Sequence, residues 1–161
     1  MKLRSVLVLT IGVILALSGC SPKEAAMSPE EARDQTLTIL NGTIEAAGGA
    51  DWTLDREGFA APQECRVDDE DGVSFTHGAF TASRGPDPAA DVQRVADYWA
   101  SLGIDSRIES NPVPAVFGSG GPVKAISFAT APTYAISLGG ICVPGNPYDY
   151  YDESPAATPA G

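Results

Sequence analysis

The sequence predicts an α+β domain in which two helices pack on one face of a mostly antiparallel sheet of about five strands, in the order α-β-β-α-β-β-β, with one disulfide. Two observations carry that expectation. Two segments, each opened by a capping residue followed by proline, repeat their apolar side chains at spacings of three and four, the period of a helix. Five other segments alternate large apolar side chains with small or polar ones, the period of a strand that buries one face.

The first helix is announced by Ser28-Pro29-Glu30-Glu31, which joins a serine cap, proline at the first helical position and glutamate at the third, a capping box. It should run to about Ala47, where Gly48-Gly49 stops it. Leu37, Leu40, Ile44 and Ala47 form its apolar stripe. Its polar face carries Glu30, Glu31, Asp34 and Glu45 against Arg33, the wrong sign for an anionic lipid surface, so the stripe is assigned to the core. Residues 51–57 alternate as a half-buried strand with Trp52 and Leu54 on one side. After Ala61-Pro62, the run Asp68-Asp69-Glu70-Asp71-Gly72 reads as an acidic turn into a strand over 73–82. Asp87-Pro88 opens the second helix, with Val92, Val95, Trp99 and Leu102 as its stripe and Gly103 as its stop. Strands then follow over 104–109, 123–130 and 134–141, with Gly118-Ser119-Gly120-Gly121 as a turn.

The two ends read differently. Lys2 and Arg4 precede an apolar core from Val6 to Leu17, too short for a membrane span, which needs about 20 residues, and suited to a secretory leader. Leu17-Ser18-Gly19-Cys20 closes it. This stretch resembles the lipobox of bacterial lipoproteins, and the resemblance implies a diacylglyceryl group on the Cys20 thiol, cleavage before Cys20 and an extracytoplasmic domain held to the cell membrane by its acyl chains. Two or more chains give stable anchoring. The expected division is therefore a signal peptide over 1–19, a lipidated cysteine and tether over 20–27, one domain over 28–147, and a tail over 148–161 that is acidic and aromatic before it becomes rich in proline and alanine and disordered.

Without residues 1–19 the chain keeps eight basic and 21 acidic side chains, a net charge of −13. Such a chain is repelled by phosphate backbones, and nucleic-acid binding is not expected. With Cys20 acylated, Cys65 and Cys142 remain as an even pair in an oxidising compartment, and a disulfide between them is the default. Thiol ligation of a metal lacks a Cys-x-x-Cys spacing or a nearby second ligand.

Few residues of the chain are patterned for chemistry. If Gly72 were the sixth residue of an EF-hand loop, positions one and twelve would be Val67 and Gly78, where carboxylates are required, so the motif fails and residues 68–71 read as a solvated acidic turn, with a looser calcium site as the alternative. His77 is the one histidine, and its alternation with Val73, Phe75 and Ala79 puts it on the apolar face or its edge in a structural role. The glycine run at 118–121 has neither the Gly-x-Ser-x-Gly spacing of a nucleophile elbow nor the lysine of a phosphate loop. No catalytic, cofactor or metal residue is assigned. Tyr148, Tyr150 and Tyr151, interspersed with Asp149, Asp152 and Glu153, are the most distinctive cluster, read either as contact area for an envelope protein or glycan or as the fraying end of the domain.

Tyr98-Trp99, Leu102-Gly103 and Cys142-Val143-Pro144-Gly145 resemble a pattern in small actinobacterial lipoproteins, over about 60 residues of the second half of the chain. That resemblance implies a similar fold and extracytoplasmic location and no activity. The resulting expectation is a non-enzymatic, lipid-anchored surface module. The alternative is a carrier that holds an apolar ligand between helices and sheet, against Trp52, Phe75, Trp99 and Phe128.

Overall fold

The structure is a computed structural model and describes residues 27–55 and 60–151. The expected leader, Cys20 with the expected tether up to residue 26, and residues 152–161 with the whole Pro/Ala-rich end of the tail lie outside the described residues.

Helix α1 spans Pro29–Ala47 with its capping box formed: Glu31 N donates to Ser28 Oγ at 3.2 Å, and Ser28 N donates to Glu31 Oε2 at 2.8 Å. Its buried row is Ala32, Thr36, Ile39, Leu40, Thr43 and Ala47, while Leu37 and Ile44 sit half-buried beside it. The stripe is thus rotated from the expected one. Two threonines can face the core because each hydroxyl donates to the carbonyl one turn back, Thr36 to Ala32 O at 2.9 Å and Thr43 to Ile39 O at 2.8 Å. Helix α2, Pro88–Ser101, is capped by Asp87, which accepts from Ala90 N at 3.1 Å, and buries Val92, Val95, Ala96 and Trp99. The Trp99 indole donates to Thr43 Oγ1 at 3.0 Å, tying the two helices together inside the core.

The α+β class holds, but among the described residues the sheet has eight strands rather than about five: β1 Thr53–Leu54, β2 Ala61–Val67, β3 Glu70–Thr81, β4 Asp105–Glu109, β5 Ala115–Gly120, β6 Val123–Ala129, β7 Tyr134–Gly140 and β8 Val143–Pro144. The spatial order is β1-β3-β7-β6-β5-β4, with β2 and β8 also pairing β3, all antiparallel. Of the expected strand over 51–57, residues 56 and 57 lie outside the described residues, and within 51–55 only Thr53–Leu54 pair as a strand. Three strands carry no period-two signal. β2 contains Pro62, which an edge position tolerates because one row of its backbone groups faces away from β3. β8 is two residues long. β5 runs into the glycine segment that the sequence marks as a turn, and Gly118 belongs to the strand because Trp99 Cε3 and Ile104 Cγ2 lie 3.0 and 2.8 Å from where its Cβ would stand. A larger residue would collide with the core.

One face of the sheet packs on the helices. Val73, Phe75, His77 and Ala79 of β3, Tyr134, Ile136 and Leu138 of β7, Ile126 and Phe128 of β6 and Val116 of β5 are all buried there. The opposite face has no helix over it among the described residues. Cross-strand pairing sets Gly78, Ser137, Ser127, Phe117 and Arg107 in one row across five strands, with small residues in the rows beside it.

Candidate functional site

Three places in the fold gather chemistry-bearing side chains. The first is the end of the sheet where the disulfide forms. Cys65 of β2 and Cys142, just past β7, are bonded with Cα atoms 6.1 Å apart. The bridge crosses β3 at Gly72, where a Cβ would lie 2.7 Å from Cys142 Sγ and 2.9 Å from Val143 O. Asp68 and Asp69, both with positive φ (49° and 68°), make the two-residue turn between β2 and β3, so the acidic run is a hairpin tip.

The tyrosine cluster lies against the same end, and the fold divides it. Asn146 Oδ1 accepts from Tyr148 N at 3.2 Å and starts a short 3-10 turn, Pro147–Tyr150. The ordered domain therefore continues past 147, where the tail was expected to begin. Tyr150 points inward at 8 % exposure, meets Phe75 edge-on with ring centroids 5.4 Å apart, and donates its hydroxyl to Glu30 Oε1 at 2.8 Å. Burial, then the Glu30 carboxylate, pushes that hydroxyl's pKa up to about 12. Tyr148 and Tyr151 point outward at 67 % and 53 % exposure, their rings 5.8 Å apart. The Tyr148 hydroxyl donates to Glu64 Oε1 at 2.8 Å, and that bond raises its pKa. Only these two of the three offer contact area. Glu64, which the sequence did not single out, shares a cleft of about 470 Å³ with Tyr148, Arg66, Asp71 and the cystine.

The second place is the uncovered sheet face. A shallow groove of about 780 Å³ runs over β4 to β7, floored by Ser127, Ser137 and Gly139 and walled by Phe117 and Arg107. The Arg107 guanidinium lies 4.8 Å over the Phe117 ring, and its Nε donates to Glu109 Oε1 at 3.1 Å. The floor presents serine hydroxyls and backbone to solvent. Phe117 and Arg107 come together only through β4–β5 pairing, and nothing in their sequence spacing reports it.

The third is His77, whose side chain is fully buried with Nδ1 2.7 Å from Asp55 Oδ1. Gly78 N also donates to Asp55 Oδ1 at 2.7 Å, and His77 Nε2 has no hydrogen-bond partner among the described residues. A second buried polar group, Asp91, is saturated: Arg94 Nη2 reaches its Oδ1 at 2.6 Å and the Tyr134 hydroxyl donates to its Oδ2. Arg94 Nε also donates to Ala46 O at 3.1 Å, satisfying a carbonyl at the end of α1, whose own last turn has no cation. This network joins α1, α2 and β7 and is structural. Burial and the Asp91 carboxylate push the Tyr134 hydroxyl up to about 12.

Among the described residues no three His, Cys, Asp or Glu side chains are grouped to hold a metal ion, and no helix is long and apolar enough to cross a membrane. Compared with known proteins, the chain matches no family model, no curated protein and no solved structure.

Proposed function

We propose that the chain is a lipid-anchored extracytoplasmic binding module that engages another component of the cell envelope by its surface. The observation that carries this reading is the uncovered sheet face. Both helices lie on the other side, and the exposed side is a groove of small polar side chains bounded by Phe117 and Arg107. Export and anchoring are supported by the Leu17-Ser18-Gly19-Cys20 lipobox, and the Cys65–Cys142 bridge suits an oxidising compartment. A surface role is favoured over the carrier role by the core itself: of Trp52, Phe75, Trp99 and Phe128, which would line a carrier's cavity, the last three are at most 1 % exposed and packed in the two hydrophobic clusters, and Trp52 packs half-buried against the larger one.

Native mass spectrometry of the full-length protein gently extracted from its own membrane tests the reading. The expected species begins at Cys20 and carries acyl mass, alone or with a stoichiometric envelope partner. Bound mass matching a small apolar molecule would replace the module with the carrier. A chain without acyl mass would remove the anchor.

A further inference from the structure

We infer that the Tyr148–Tyr151 end of the domain is a membrane-contact surface, which sets the sheet end-on to the bilayer and rests on zwitterionic lipid whose headgroups carry ammonium. The inference rests on the lipid-anchor reading above and adds where the domain touches the membrane. Two independent observations converge on it.

The first is where the anchored chain enters the fold. Met27 packs on the smaller core cluster, with Phe75 and Tyr150. Pro29 Cγ lies 2.8 Å from where a Cβ on Gly145 would stand, and Glu30 receives the Tyr150 hydroxyl. Cys20 is seven residues before Met27, so the tether spans at most about 25 Å when fully extended. Tyr148 and Tyr151 flank Tyr150 in the chain and are therefore on the end that the tether holds near the bilayer. The far end of the sheet is farther from that entry: Thr81 lies eight residues along β3 from Val73, beside which Pro29 sits, a separation of about 26 Å. Phe80, 49 % exposed, marks that distal end.

The second observation is chemical. Two adjacent exposed phenol rings suit the headgroup layer, where an aromatic body can be buried while its hydroxyl stays hydrated. The groups around them are acidic in sum, with Arg66 as the cation of the same cleft, 3.7 Å from Asp71. Glu64 and Asp71 line the cleft with Tyr148, Asp149 accepts from Asn146, and Glu30 holds Tyr150. Carboxylates beside aromatic faces attract an ammonium headgroup by charge and by cation–π contact, and they oppose phosphatidylglycerol. The same charges that exclude an anionic surface thus select a zwitterionic one.

The test uses the full lipidated protein in phosphatidylcholine vesicles whose chains are brominated near the headgroup, with single reporters Tyr151→Trp and Phe80→Trp read against the wild-type tryptophans. The reporter at 151 should lose emission and shift to the blue, the reporter at 80 should do neither, and phosphatidylglycerol at low salt should reverse the effect at 151. Acyl mass and vesicle flotation are measured on the same samples. Intact acyl mass and flotation with no quenching at 151, or with quenching at 80 instead, would overturn the contact while leaving the anchor standing. Absence of acyl mass and flotation would overturn both. Quenching at 151 that grows with phosphatidylglycerol would overturn the headgroup assignment.

Discussion

Opening the Cys65–Cys142 bridge should cost the domain a large share of its stability while leaving its native contacts in place. The bridge closes a loop of 77 residues. In the chain-entropy account, restricting a loop of that length removes about 15 cal/mol/K from the unfolded ensemble, or about 4.5 kcal/mol at 25 °C. Domains of this size are stable by about 5–15 kcal/mol, so the opened form should fold with a narrow margin. The perturbation is the Cys65→Ser/Cys142→Ser pair, with the reduced wild type as a second form that keeps both sulfurs over Gly72. Urea unfolding is the assay. With a slope of about 1.5–2 kcal/mol/M, the midpoint should fall by about 2–3 M, and the slope should rise because the unlinked chain exposes more surface. A fall of less than about 0.5 M in both forms, with no change in slope, would refute the reasoning, since it would mean that the bridge does not restrict the unfolded chain.

Three further outcomes follow from the packing. Tyr150→Ala should destabilise by about 3 kcal/mol through lost burial against Phe75, whereas Tyr148→Ala/Tyr151→Ala should change the urea midpoint by less than about 0.5 kcal/mol equivalent; equal effects would contradict the inward and outward division. Tyr134 is held near 12 in the fold against about 10 unfolded, so its contribution is complete below pH 10 and is lost as pH rises through about 12, by about 1.4 kcal/mol per unit. Unfolding at pH 9, 10 and 11 should fall more steeply for wild type than for Tyr134→Phe, and identical slopes would remove the buried hydroxyl as the cause. Gly118→Val should overpack Trp99 and Ile104 and cost about 1–3 kcal/mol, measured by urea unfolding of the purified domain; an unchanged midpoint would mean that β5 has room to move.

What could be read along the chain was local. The Ser28 and Asp87 caps, the prolines after them and the apolar spacings place both helices, because each signal lies within one or two turns of its consequence. The alternation in β3, β6 and β7 was equally plain. Strand β5 was hidden because its glycines look like a turn until Trp99 is seen to occupy the space above Gly118. Strand β2 was hidden by Pro62 and by an edge position that imposes no alternation. The α1 stripe was misplaced by part of a turn because threonine reads as polar until its hydroxyl is seen to bond back to the helix. For the candidate site, the cysteine pair and the tyrosine cluster were visible, and Glu64, Phe117, Arg107 and the Asp55 partner of His77 were not. Each of those four acquires its neighbour through sheet pairing or tertiary packing.

The sequence by itself determined the helix starts, the α+β class, the parity of the cysteines and the expectation of export and a lipid on Cys20, since these depend on short-range order and on composition. Tertiary structure decided which sheet face stays uncovered, how many strands complete the sheet, and that Tyr150 turns inward while Tyr148 and Tyr151 turn out. The Tyr150–Glu30 bond joins residues 120 apart. Contacts over such distances depend on how every intervening element packs, and no local pattern in the chain encodes them.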